Sequence, residues 1–320
     1  LIFDRKGKYI RQIGAAGQRQ GEYMALTAAA MSPDEKLIVL GDVILRKVMI
    51  FTIEGKLIRE TNLPDINING GPEAIHFIND TVYAVQLRRY NGSPQMFDVV
   101  IFNERNEVLK SYFPVTDPQK QKLVALRQVL GISDSGMYFW ENFENNLFYF
   151  TPFSEAVAAG HFETGPNGIK PELLNSFEDF DWTQEQRNKK LYLIKIENTP
   201  KYLLAGGLNQ GSMFIIGYDK LTGESFSINR TDTCSITSKN WPSLENDIFG
   251  IEPVFLNHYQ PDLNCMVLPI SLQALKSGKD FNCLRKRTVS EPEILNQIIS
   301  RAEASAESDN QVLVLLHLKR

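Results

Sequence analysis

Phe3-Asp4-Arg5-Lys6-Gly7-Lys8-Tyr9-Ile10-Arg11 aligns without a gap onto Phe51-Thr52-Ile53-Glu54-Gly55-Lys56-Leu57-Ile58-Arg59, 48 residues further along the chain. In each copy an aromatic residue leads into a polar turn centred on glycine, and a second apolar-polar run follows. This is a hairpin pattern, and glycine holds the turn because a tight turn needs positive φ there. The unit recurs. Phe102-Asn103-Glu104-Arg105-Asn106-Glu107-Val108-Leu109-Lys110 lies 51 residues after Phe51, with Asn106 in the glycine position, where asparagine tolerates positive φ. Phe150 marks a degenerate copy 48 residues later, and Tyr218-Asp219-Lys220-Leu221-Thr222-Gly223-Glu224-Ser225-Phe226 comes 68 residues after that.

A period of about 40 to 50 residues signals a propeller or a solenoid. Each hairpin is preceded by a β-type run that ends in a turn, as in Lys36-Leu37-Ile38-Val39-Leu40 before Asp42, Thr81-Val82-Tyr83-Ala84-Val85, and Met137-Tyr138-Phe139-Trp140. Four strands per unit follow, and a ring of such sheets buries both faces of each. The expected fold is all-β: a six-bladed β-propeller of four-stranded antiparallel blades forming one domain over residues 1–320. The chain begins in mid-strand at Leu1-Ile2-Phe3, so the N-terminal blade reads as incomplete, with any leader and linker missing. The terminal run from Gln311 to Lys319 also reads as a strand, so the two ends are expected to share or adjoin a blade.

The long fourth step needs an insertion. Residues 171–190 supply helix-forming, non-β sequence from Pro171-Glu172-Leu173-Leu174 to Trp182-Thr183-Gln184-Glu185-Gln186-Arg187. A second helical insertion is expected at 290–304. There Ser290-Glu291-Pro292-Glu293 has capping-box spacing, and Ile294, Leu295, Ile298, Ile299 and Ala302 form one stripe, expected to pack on the outside of a blade.

Composition narrows the function. A net charge of −4 and a pI near 5.7 give no basic footprint for nucleic acid. Three cysteines without CxxC spacing and four histidines without HxH or HExxH spacing give no zinc site, and at most one disulfide. No apolar run is long enough to span a bilayer, so a membrane association is expected only through a lipid anchor preceding Leu1. No G-x-S-x-G elbow marks a nucleophile.

The metal candidate is Asp65-Ile66-Asn67-Ile68-Asn69-Gly70, which matches the first six positions of a calcium loop through Asp65, Asn67 and Asn69. Glu73 stands at the ninth position, and His76 occupies the twelfth, where a bidentate glutamate belongs. A polar turn between two sheets accounts for the same residues, and no cofactor is otherwise expected. The ligand-binding candidates are Arg19, Glu22 and Tyr23 in the glycine-rich stretch from Gly14, together with Trp140 in the aromatic run Met137-Tyr138-Phe139-Trp140. Arg19 and Glu22 also fit an ion pair between blades. Alternation puts Tyr138 and Trp140 on one strand face and Phe139 on the other, so core packing is the plainer use of that run.

The opening segment Phe3 to Gly14, followed by Gly17-Gln18-Arg19-Gln20-Gly21-Glu22-Tyr23, resembles the blade and glycine-rich inter-blade link of NHL-like and TolB-like six-bladed propellers, secreted or lipid-anchored by Gram-negative gut anaerobes. Tyr218-Asp219 with Thr222-Gly223 is a second point of likeness, and Gln20 replaces the proline common in the link. The resemblance implies a periplasmic or cell-surface protein. The expected function is a non-catalytic module that binds a protein, peptide or glycan outside the cytoplasm. The alternative is a metal-dependent, lactonase-like propeller hydrolase or lyase with its site in the central channel.

Overall fold

A computed structural model describes residues 1–3, 8–68, 70–88, 97–115, 129–133, 136–140, 146–163, 191–209, 212–228, 259–260, 265–306 and 312–317. The expected helical insertion at 171–190 lies outside them. The elements group into two compact units, β1 to β16 in the first and β17 onward in the second.

In the first unit, β1 (Ile2–Phe3) pairs with β2 (Tyr9–Arg11), and two short parallel strands follow, β3 (Ala15–Ala16) and β4 (Glu22–Tyr23). Three four-stranded antiparallel meanders come next. They are β5 (Leu26–Met31), β6 (Leu37–Asp42), β7 (Lys47–Thr52) and β8 (Leu57–Asn62); then β9 (Gly71–Phe77), β10 (Val82–Arg88), β11 (Phe97–Asn103) and β12 (Val108–Pro114); then β13 (Val129–Ser133), β14 (Gly136–Trp140), β15 (Asn146–Phe150) and β16 (Val157–His161).

The middle strands β6 and β7 are buried on both faces, whereas the outer strand β8 is largely exposed on one. Period-two alternation then sorts side chains between two cores. In β10, Tyr83 and Val85 pack with Val39, Val48 and Ile50 of the preceding sheet, while Val82 and Ala84 pack with Met137, Phe139 and Phe150 of the following one. Each large side chain so buried contributes about 1.5–3 kcal/mol. Gly41 is needed at one such contact, because a Cβ there would lie 2.6 Å from Cβ of Pro72.

The repeat logic is visible in the backbone. Gly55 has φ 89°, Asn106 φ 57° and Gly223 φ 75°. In the first two turns the hydrogen bonds coincide: Gly55 N–H donates to Thr52 O, and Asn106 N–H to Asn103 O, both at 2.9 Å. The Thr222-Gly223 turn is one residue longer, with Gly223 N–H donating to Asp219 O at 2.8 Å. Asn106 does more than tolerate its conformation. Its carboxamide accepts from the buried Tyr83 hydroxyl and donates to Thr61 Oγ1 at 3.0 Å, tying the second sheet's hairpin to the first sheet.

The second unit opens with a fourth meander, β17 (Leu191–Asn198), β18 (Tyr202–Asn209), β19 (Ser212–Asp219) and β20 (Ser225–Ile228). A three-stranded sheet follows, β21 (Tyr259–Gln260), β22 (Cys265–Ile270) and β23 (Val312–His317). Each terminal strand is paired within its own unit, β1 with β2 and β23 with β22.

Between β22 and β23 stand three helices, α1 (Leu272–Gly278), α2 (Phe281–Leu284) and α3 (Pro292–Ala304). Leu295, Ile298, Ile299 and Ala302 of the α3 stripe close on Leu272, Leu275 and Leu284, with Ile270 at the end of β22 packed against the same cluster, and Ile294 is 40% exposed. The insertion thus supplies much of its own apolar cover. The structure corrects one expectation here. The capping box is not formed: Glu291 is the N-cap and makes no side-chain cap bond. Pro292 supplies a preset φ and has no N–H to satisfy, so the helix starts without it. Cys283 is disulfide-bonded, and Arg285 holds both carboxylate oxygens of Glu303 at 2.8 Å. Among the described residues no helix is long and apolar enough to cross a membrane.

Candidate functional site

In an antiparallel meander the start of the first strand, the end of the second, the start of the third and the end of the fourth share one end of the sheet. For the first sheet that end gathers Leu26, Asp42, Lys47 and Asn62. The second sheet is aligned with it, because Thr27 Oγ1 donates to Pro72 O at 2.5 Å while, at the opposite end, Asp34 N–H donates to Asp80 Oδ1 at 2.9 Å. The connection between these two sheets, from Asn62 to Gly71, also runs at this end, the linker end. Arg19, Glu22 and Tyr23 lie in the link before β5, Asp65 and Asn67 in the link between β8 and β9, and Trp140 at the corresponding end of β14.

The link before β5 is fastened by carboxylates. Glu22 turns its side chain onto its own loop: Oε2 accepts the Arg19 backbone N–H at 2.9 Å. The contact expected between Arg19 and Glu22 is therefore made by Arg19's main chain, and its exposed guanidinium engages no partner among the described residues. A Cβ on Gly17 would sit 2.0 Å from that same carboxylate oxygen, so a larger residue there would push the Glu22 carboxylate aside. Glu60 accepts Gly21 N–H at 2.8 Å and pairs with the buried Lys47 at 3.1 Å, and Lys47 Nζ also reaches Arg19 O at 3.4 Å. Tyr23 is half-buried against Gly14.

Asp42, fully buried, fixes two segments at once. Its Oδ2 accepts the N–H groups of Met24 and Ala25 at 2.5 and 3.3 Å, and its Oδ1 those of Ile44 and Leu45, each at 2.9 Å. Charge-assisted bonds of this kind are stronger than neutral ones, so both segments are held firmly. The side chains they carry point outward. Met24 is 52% exposed, Ile44 59% and neighbouring Leu26 39%. A backbone tied down from beneath thus presents an aliphatic patch to solvent, with Arg19 on the adjoining loop and exposed Arg88 ending β10 of the next sheet. Sequence reasoning missed Asp42, Met24, Leu26, Ile44 and Arg88. The available signal was Gly41-Asp42-Val43-Ile44-Leu45, where an apolar triplet continues past the acid that ends a strand.

The other candidates are placed differently. Trp140 is 1% exposed and meets Phe162 edge-on, with ring centroids 6.4 Å apart. Among the described residues its indole N–H finds no acceptor, and the Asn209 side-chain oxygen at the end of β18 finds no donor. The calcium-like segment is a 3-10 turn, Leu63–Ile66, capped by Asn67 at φ 58°. Leu63 and Ile68 anchor that segment in the core, and the Asp65 carboxylate accepts from Asn62 Nδ2 at 3.1 Å. Glu73 and His76 stand within β9, and Asn69 lies outside the described residues. Among the described residues no three His, Cys, Asp or Glu side chains come together in a way that would hold a metal.

Successive four-stranded meanders sharing apolar faces define a β-propeller protein. The chain belongs to the DUF4934 family, a domain of unknown function, whose family model matches residues 1–317. A search of curated proteins gives no match. Among solved structures the chain is similar to a "putative exported protein" of Bacteroides fragilis, with a TM-score of 0.63 and 15% identity over 99% of this chain and 84% of that one. Weaker likenesses, which carry no argument, are to a virginiamycin B lyase of Staphylococcus aureus and to a set of WD40 repeats. The lyase has a TM-score of 0.40 and 15% identity over 63% of this chain and 54% of that one. The WD40 repeats have a TM-score of 0.41 and 9% identity over 64% of this chain and 51% of that one.

Proposed function

We propose that the protein is an exported, non-catalytic propeller that binds another protein through the linker end of its first unit. The carrying observation is the exposed patch of Met24, Leu26 and Ile44 on a backbone pinned by Asp42. Exposed aliphatic side chains on a rigid support combine low reorganisation cost with desolvation gain, which is what an interface core requires. Export is supported by the exported-protein neighbour and by the disulfide at Cys283, a bond that persists in oxidising compartments. Within propellers, the glycine-rich link and hairpin repeat favour kinship with the NHL-like and TolB-like groups, and a periplasmic or cell-surface location.

The test is site-specific photo-crosslinking in the native host, with the reactive residue at position 44 or, as a control, at position 56 in a hairpin at the opposite end. A discrete protein adduct from position 44, lost when Met24 and Leu26 are changed to Ser and never formed from position 56, is expected. Equal adducts from both positions, or none from 44, would overturn the reading. Location is checked separately: Cys283 should react with a thiol reagent only after reduction.

A further inference from the structure

The linker end holds its charges in two ways. Four of its acids are hydrogen-bonded within the fold, Asp42 by four backbone N–H groups, Glu60 by Gly21 N–H and Lys47, Glu22 by Arg19 N–H, and Asp65 by Asn62. The cations Arg19 and Arg88 are exposed and engage no partner among the described residues. Main-chain contacts place both near the segments that carry the patch. The Arg19 carbonyl is tied to Lys47, at the start of β7, and Arg88 pairs in register with Gly71, next to the Pro72 carbonyl that holds Thr27 beside Leu26. Two guanidinium groups near three aliphatic side chains present positive charge and apolar area together.

We infer that this surface takes an acidic segment of a partner protein, one in which Asp or Glu side chains stand beside aliphatic ones. The inference rests on the binding reading above and adds the chemistry of the occupant. Exposed arginines offer forked donors that match carboxylates, and the aliphatic centre accepts Leu, Ile, Val or Met. Sugars and nucleobases stack on aromatic faces, and of the two aromatic candidates at this end Trp140 is buried and Tyr23 half-buried. The aliphatic centre therefore favours a polypeptide. Charge complementarity of this type sets partner choice and association rate.

The experiment is selection from a randomised peptide library displayed on phage against the full chain, followed by binding measurements on the enriched peptides. Enrichment in Asp and Glu together with aliphatic residues is expected. Arg19→Glu with Arg88→Glu should weaken those peptides about tenfold and flatten their salt dependence, while Lys56→Glu at the opposite end leaves them unchanged. Enriched peptides that are neutral or basic, lost on Met24→Ser with Ile44→Ser but indifferent to the arginine reversals, would remove the acidic preference and leave the surface standing. Acidic peptides indifferent to all four changes, or no enrichment, would remove both. A single-stranded DNA oligomer bound as tightly as the peptides and released by the arginine reversals would also overturn the inference.

Discussion

Replacing Asn106 separates two demands that one residue meets. At φ 57° the backbone is in the left-handed region, where alanine is disfavoured by about 1–2 kcal/mol and glycine is not. The carboxamide also accepts the Tyr83 hydroxyl and donates to Thr61 Oγ1 and, at a longer 3.4 Å, to Val48 O. Losing it leaves the buried Tyr83 hydroxyl without its acceptor, at a cost of about 1–3 kcal/mol. Asn106→Gly should therefore destabilise by about 2 kcal/mol, the hydrogen-bond share alone, and Asn106→Ala by about 3 kcal/mol because the backbone cost is added. Urea unfolding followed by tryptophan fluorescence measures both. Tyr83→Phe should cost less in the Asn106→Gly background than in the wild type, since the hydroxyl has already lost its acceptor there. Equal midpoints for the Ala and Gly variants would refute the conformational argument, and strictly additive effects of Tyr83→Phe and Asn106→Gly would refute the clamp.

Asp42→Asn turns an NH2 group toward two of the four backbone N–H groups and should cost about 3 kcal/mol in the same assay, with the aliphatic patch losing its support and peptide binding falling with it. Gly17→Ala should displace the Glu22 carboxylate and speed hydrogen exchange at the Arg19 amide, with little change in the unfolding midpoint; unchanged exchange would show that the loop is fixed otherwise. Burial, with the nearby Arg287 charge, pulls the Lys279 ammonium down from its ordinary value to about 8. The unfolded chain keeps that proton to higher pH than the folded one, so the charge opposes folding at pH 7 and its penalty fades as pH rises from about 8 toward the ordinary lysine value of about 10.5. Lys279→Met should therefore stabilise the helical insertion at pH 7, by no more than about 1 kcal/mol after allowance for solvent screening, and the gain over wild type should shrink across that window. A gain that is constant with pH would point to packing instead.

The repeat of aromatic residue, polar turn and glycine was legible because both demands it encodes are local: a positive φ and an alternating apolar run. Gly55, Asn106 and Gly223 sit where that pattern puts them, and the meanders around Phe51, Phe102, Phe150 and Tyr218 follow from it. The α3 stripe was equally legible as a stripe, but its partner was not. Helical spacing states that one face must be buried, and only tertiary structure supplied Leu272, Leu275 and Leu284 as the cover.

The site divides along the same line. Sequence placed candidates in the link at Arg19 to Tyr23, because glycines and charges between strands mark a loop. It could not tell that Glu22 is spent on the Arg19 backbone, that Asp65 and Asn67 belong to a core-anchored 3-10 turn, or that Trp140 is packed away. The decisive residue, Asp42, looks in sequence like any acid closing a strand. Its role depends on Met24 and Ile44, which are 18 and 2 residues away and meet only when β5 pairs with β6. Local periodicity determines which segments become strands and where they turn. Which polar groups are consumed in holding the structure, and which side chains are left facing solvent, is decided by contacts between segments distant in the chain.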